Sequence, residues 1–144
     1  MPSSQTHHNY THCIVRWIED NYSKDYMVVI TDLDNPIGEE RPPNINGYIP
    51  DVYARNIEND ITIIGEAKTQ NDVRNKHTKN QISSYLDYLC VARQGLLVIA
   101  TQWDCVNAIK NTVEIMQHGN SNESLQVIYL SIAGERIIKS TSLS

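Results

Sequence analysis

Three side chains able to do chemistry together lie in the middle of the chain: Asp51, directly after Pro50, and Glu66 and Lys68, which bracket Ala67. Side chains alternate along a strand, so in Gly65-Glu66-Ala67-Lys68 the carboxylate and the ammonium project from one face and Gly65 and Ala67 from the other. Charged groups two residues apart at the end of the otherwise apolar run Ile61-Thr62-Ile63-Ile64 are poorly explained by packing. If the segment holding Asp51 pairs with this strand as a hairpin, Asp51 approaches Glu66 across the ladder. Two carboxylates side by side repel each other unless a cation lies between them. Hard oxygen ligands of this kind suit Mg²⁺, with Mn²⁺ as a substitute. Such an ion polarises a phosphoryl oxygen and activates its bound water, while a nearby lysine orients that water or neutralises charge developing on the phosphorus oxygens. Asp, Glu and Lys together are the set required for phosphodiester hydrolysis.

The elements that must position these groups follow from periodicity. Tyr10, Cys13, Ile14, Trp17 and Ile18 recur at three- and four-residue spacing, which predicts a helix over about 6–21. Met27-Val28-Val29-Ile30-Thr31 reads as a strand and leads into a loop rich in acids and Pro over 32–43. Strands are expected over 47–55 and 61–68, joined by the Glu58-Asn59-Asp60 turn. A long helix over 71–93 has Asn71 or Asp72 as cap, Ile82, Leu86 and Leu89 on its buried face, and Gly95 just past its end. The unalternating run 96–100 reads as a strand covered on both faces. A last helix begins near Asp104, and a strand over 125–132 is followed by a polar tail. The order is α-β-β-β-α-β-α-β, in one domain spanning 1–144 without repeat or linker.

Pro50-Asp51 and Glu66-Ala67-Lys68, on the second and third strands of that order, resemble the signature of the PD-(D/E)XK nuclease superfamily, the restriction-endonuclease-like fold. The resemblance covers about residues 6–100 and implies an α/β protein whose α-β-β-β-α-β core has a mixed central sheet flanked by helices, here with an added C-terminal helix and strand. It implies metal binding by Asp51 and Glu66, with the main-chain carbonyl of Ala67 as a further ligand, and assistance to the attacking water from Lys68. Gln81-Ile82-Ser83-Ser84-Tyr85 is similar to the Q-x-x-x-Y pattern of the RecB-like branch. In that branch the pair is associated with active-site support and DNA binding, and the two side chains share one helix face. Many members carry an extra acid on the first helix, for which Glu19 is the candidate and Asp20 the fallback. RecB-like domains often ride on helicases, but no G-x-x-x-x-G-K-[ST] is present here. The function implied is a Mg²⁺-dependent deoxyribonuclease, possible as a homodimer because two-strand cutting commonly uses two active sites. The alternative is a non-catalytic nucleic-acid-binding or regulatory domain that keeps the fold.

Composition bounds these readings. A chain of 144 residues, 40% hydrophobic, is long enough to bury about two-thirds of its unfolded surface without staples. The longest apolar run, Leu96 to Ala100, is far short of a membrane span, and no apolar leader follows the polar, His-rich start. Three well-separated cysteines, Cys13, Cys90 and Cys105, argue against a disulfide framework or structural zinc and for a cytoplasmic location. The net charge of −5 argues at first sight against a nucleic-acid partner, but it is uneven: residues 65–95 hold three acids against five bases. Arg74, Lys76 and Lys79 are the candidate contacts to a polynucleotide backbone. His7, His8 and His12 read as a frayed, solvated N-terminus, His77 as a surface histidine, Trp17 as core, and Trp103 as packing where the last helix starts. Asp32, Asp34, Glu39 and Glu40 read as solvated loop acids, one of which could enter the metal shell.

Overall fold

The structure is a computed structural model that describes residues 5–22, 27–32, 40–72, 75–117 and 124–143. Helix α1 (Gln5–Asn21) precedes strands β1 (Val28–Thr31), β2 (Val52–Asn56) and β3 (Ile61–Lys68); helix α2 (Lys76–Leu89), β4 (Gln94–Gln102), a 3₁₀ turn (Trp103–Cys105), α3 (Val106–Gln117), β5 (Leu125–Ala133) and β6 (Arg136–Leu143) follow. The six strands form one mixed sheet in chain order. The pairs β1–β2, β2–β3 and β5–β6 are antiparallel, and β3–β4 and β4–β5 are parallel.

Period-2 alternation sorts the central strands into two cores. Ile63, Ala67, Val98, Ala100, Leu130 and Ile132 pack under α1, whose Tyr10, Cys13, Ile14 and Ile18 supply the matching stripe. On the opposite face, Ile64, Leu97, Ile99, Val127 and Tyr129 meet Ile82, Leu86 and Leu89 of α2 and Ile109 and Val113 of α3. All eight residues of β3 are buried, as expected of a strand covered by helices on both sides. Gly65 lets α1 approach β3 closely: a Cβ there would lie 2.6 Å from Ile14 Cγ2. No helix among the described residues is long and apolar enough to cross a membrane.

Four boundaries differ from the sequence expectation. The residues before β2 form a tight turn rather than strand: Asn46 and Gly47 have φ of 54° and 91°, and Ile45 bridges Tyr48, the conformation that an Asn-Gly pair favours. Helix α2 starts at Lys76, capped by Asn75, whose side chain accepts from Thr78 N at 2.7 Å; the expected caps Asn71 and Asp72 lie in a preceding turn closed by Asp72 N to Thr69 O. Helix α2 ends at Leu89 rather than near 93, so Gly95 falls inside β4 instead of just past the helix, and a Cβ there would come within 2.6 Å of Leu89 O. The expected polar tail is largely strand β6, joined to β5 through Gly134 (φ 63°) and Glu135. A glycine at positive φ in a two-residue link makes a hairpin connection, and Ser and Thr pair readily along an exposed edge.

Candidate active site

The β2–β3 register pairs Val52 with Gly65, so Asp51, one residue before β2, sits opposite Glu66. Backbone groups hold the two carboxylates there. Ala67 N donates to Asp51 Oδ2 at 2.8 Å, and Asp51 N donates to Glu66 Oε1 at 3.3 Å. The β1 end braces Asp51 further, with Asp32 N donating to Asp51 O at 3.0 Å. Glu66 and Lys68 project toward α2, as alternation requires, and their side chains are only 4% and 7% exposed.

Helix α2 completes the cluster. Gln81 and Tyr85, one turn apart, both reach Glu66: Tyr85 OH donates to Oε1 at 2.9 Å and Gln81 Nε2 at 3.3 Å. Lys68 Nζ donates to Gln81 Oε1 and stands 3.6 Å from Glu66 Oε2. The result is a closed polar network inside an apolar layer, with each amide, hydroxyl and ammonium directed at a neighbour. Thr101 on β4 fastens the end of β3 through Oγ1 to Lys68 O at 2.8 Å.

The electrostatics show what this burial costs. Glu66 is held well above the ordinary carboxylate range, first by burial and next by repulsion from Asp51, with Lys68 pulling the other way. Tyr85 is also pushed up, by burial and then by the negative charge of Glu66, so it stays protonated as a donor. Glu66, buried beside the part-buried Asp51 and with Lys68 as its neighbouring ammonium, is under-compensated.

The structure brings Asp51, Glu66, Ala67, Lys68, Gln81 and Tyr85 together, but not the rest of the candidate set. Glu19 is exposed and lines a surface cleft with Arg16 and Glu135. It lies twelve residues along α1 from His7, about 18 Å at helical rise, and Asp20 beside it is exposed as well. The α1 residue that meets the carboxylates is His7, with Nε2 3.1 Å from Asp51 Oδ1. The Asp51 hydrogen bond, the leading influence on His7, raises its pKa against the opposing effect of burial. A frayed N-terminus was the wrong expectation for this histidine. The signal was present, because His7 lies three and seven residues before Tyr10 and Ile14 and so shares their buried stripe.

Lys76 and Lys79 are exposed on the first turn of α2, and Arg74 lies outside the described residues. His77 is exposed beside them and packs edge-on against Tyr48 at 5.3 Å between centroids. Of the loop acids, Asp32 pairs with Arg41 at 3.2 Å, Glu40 is exposed, and Asp34 and Glu39 lie outside the described residues. Trp17 is partly buried against the α1 core and meets Tyr22 edge-on, whereas Trp103 is 57% exposed rather than packed.

Among the described residues no group of three or more His, Cys, Asp or Glu is arranged as a ready metal cage. Two carboxylates and a neighbouring carbonyl are nevertheless hard donors, and the under-compensated charge on them fits a divalent cation that keeps several of its own waters. Comparison with known protein families, characterised proteins and solved structures gave no match.

Proposed function

We propose that this chain is a metal-dependent nuclease that hydrolyses phosphodiester bonds in DNA on a restriction-endonuclease-like core. The observation that carries the reading is the convergence of part-buried Asp51, one residue before β2, with buried Glu66 and Lys68 of β3, and of Gln81 and Tyr85 locked onto Glu66 from the next helix. The run α1-β1-β2-β3-α2-β4, with β3 and β4 parallel, is compatible with that core.

Asp51, Glu66 and the Ala67 carbonyl would hold Mg²⁺ or Mn²⁺, which when bound supplies Lewis acidity to the phosphoryl oxygen and lowers the pKa of water. The protein's own groups do the remainder. Lys68, held by Gln81 beside Glu66, orients the attacking water and offsets the negative charge that develops on the phosphoryl oxygens as water attacks phosphorus and the sugar oxygen leaves. Tyr85 and Gln81 fix the Glu66 rotamer, and His7 does the same for Asp51. Lys76 and Lys79, at the positive end of α2, are placed to meet backbone phosphates. Cationic side chains at a helix N-terminus disfavour the isolated helix, so an anionic partner supplies a reason for them. Cys13, Cys90 and Cys105 form no disulfide, which supports a cytoplasmic location.

The test is incubation of linear, circular, single-stranded and branched DNA with Mg²⁺ or with EDTA. Metal-dependent cleavage that disappears in Lys68→Ala supports the reading. Identical behaviour of wild type and Lys68→Ala on every substrate would leave the alternative, a binding or regulatory domain that keeps the fold without the activity.

A further inference from the structure

We propose that the site receives its polynucleotide unpaired, with Trp103 on one lip and the Tyr48–His77 pair on the other acting as stacking surfaces for the bases of a single strand. This deepens the nuclease reading and takes from it the identity of the substrate, but it stands on separate observations.

Trp103 occupies the end of the sheet where the charged cluster opens. Lys68 is in register with Thr101, and Trp103 begins the 3₁₀ turn two residues later. That turn packs against β5 and α3. The first half of α1 delivers His7 to Asp51 at 3.1 Å. Trp103 therefore follows β4 at the same end of the sheet as Lys68, and it is 57% exposed.

The opposite lip is also aromatic. Tyr48 precedes Asp51 by three residues, in the turn that Asn46 Nδ2 ties to Ser84 Oγ of α2 at 3.0 Å. Its partner His77 lies one helical turn before Gln81, on the same face of α2. Aromatic residues thus lie in the segments that lead into Asp51 and Gln81 and in the one that follows β4, while Lys76 and Lys79 flank His77 on α2.

Aromatic faces gain affinity only from bases whose own faces are free. In a blunt duplex each internal base is already stacked, whereas a single strand offers its bases to protein rings, each worth about tenfold in affinity. Charge favours the same choice. A duplex presents a denser phosphate array than a single strand, and a chain of net charge −5 with a small basic patch suits the sparser one.

The test uses the whole chain in EDTA, so that binding is read without cleavage. Trp17→Phe leaves Trp103 as the remaining indole. Its fluorescence should be quenched saturably by an oligothymidine, and a blunt duplex of equal length should bind at least about fivefold more weakly. By anisotropy of a labelled oligothymidine, Trp103→Leu should weaken binding about tenfold and Trp103→Phe should restore most of it. Circular dichroism of the variants checks that the fold is kept. Equal quenching by the duplex, or wild-type affinity in a folded Trp103→Leu, would overturn the proposal. A protein that binds single strands through Trp103 yet cuts nothing in Mg²⁺ retains this inference and loses the nuclease reading. One that cuts blunt duplex and binds oligothymidine equally well with and without Trp103 does the reverse.

Discussion

The β2–β3 hairpin carries charged groups at both ends, and the two ends are built in opposite ways. At the turn, Arg55 pairs with Asp60 at 3.2 Å, both about 40% exposed: 40% and 42%. These groups serve the backbone. Asp60, at φ 51°, accepts from Arg93 N at 3.0 Å, and its carbonyl accepts from Gln94 N at 3.1 Å. At the open end, Glu66 and Lys68 are almost wholly enclosed and bind mainly other side chains. An exposed pair of the first kind is nearly neutral in energy. An enclosed cluster of the second kind is costly, and an apolar replacement of similar shape commonly folds as well or better. The same residue types therefore carry different meanings, and it is the expensive end that points to chemistry.

The largest expected effect separates the ends by activity. Lys68→Ala should lower Mg²⁺-dependent cleavage by about 10²–10⁴-fold, the range for a lost polar catalytic group, while Arg55→Ala should stay within about twofold. Plasmid nicking rates measure both, and similar losses in the two variants would erase the distinction. Next in size is Gly65→Ala, which forces a methyl to 2.6 Å from Ile14 Cγ2 and 3.0 Å from Val52 Cβ. A loss of about 1–3 kcal/mol is expected from such overpacking, read from the urea midpoint.

A smaller effect concerns pH. Because Glu66 is raised, first by burial and then by Asp51, the folded chain binds more protons than the unfolded one between the ordinary glutamate value and the raised one. Metal-free stability should therefore be greatest below that window and fall as pH climbs through it. Glu66→Gln keeps an acceptor for Tyr85, should remove this slope, and should stabilise the chelated protein above the window by about 1–2 kcal/mol. Stability that rises with pH across the same window would contradict the assignment. Smallest is Arg55→Ala on stability, with a loss below about 1 kcal/mol in thermal melts.

How much of this was legible in the sequence depended on how local the determinants are. Glu66 and Lys68 share a face because strands alternate, and Gln81 and Tyr85 because helices repeat. Both regularities act over a few residues, so their joint arrival could be read directly. The two cores were legible for the same reason. His7 was not, because its position depends on α1 docking across Gly65, a contact between distant parts of the chain. Glu19 is expected only from the resemblance, which implies an acid on the first helix, and it lies about 18 Å along α1 from His7. Strand β6 was missed because its Ser and Thr residues read as a solvated tail, although Gly134 marked the turn. The start of α2 was misjudged because both Asn71 and Asn75 are competent caps, and the Thr69–Asp72 turn selects the later one.

The close seat of α1 over Gly65 also bears on the order in which the chain is assembled. Helix α1 precedes β2, β3 and β4 in the chain, yet its apolar stripe rests on those strands. Asp51, Glu66, Lys68, Gln81 and Tyr85, by contrast, close over short intervening loops, which favours early formation. An element made before the strands it packs on is thus late to find its place, and until then Tyr10, Ile14 and Ile18 face solvent. A nascent chain stalled before β4 would display that stripe and invite chaperone capture or self-association.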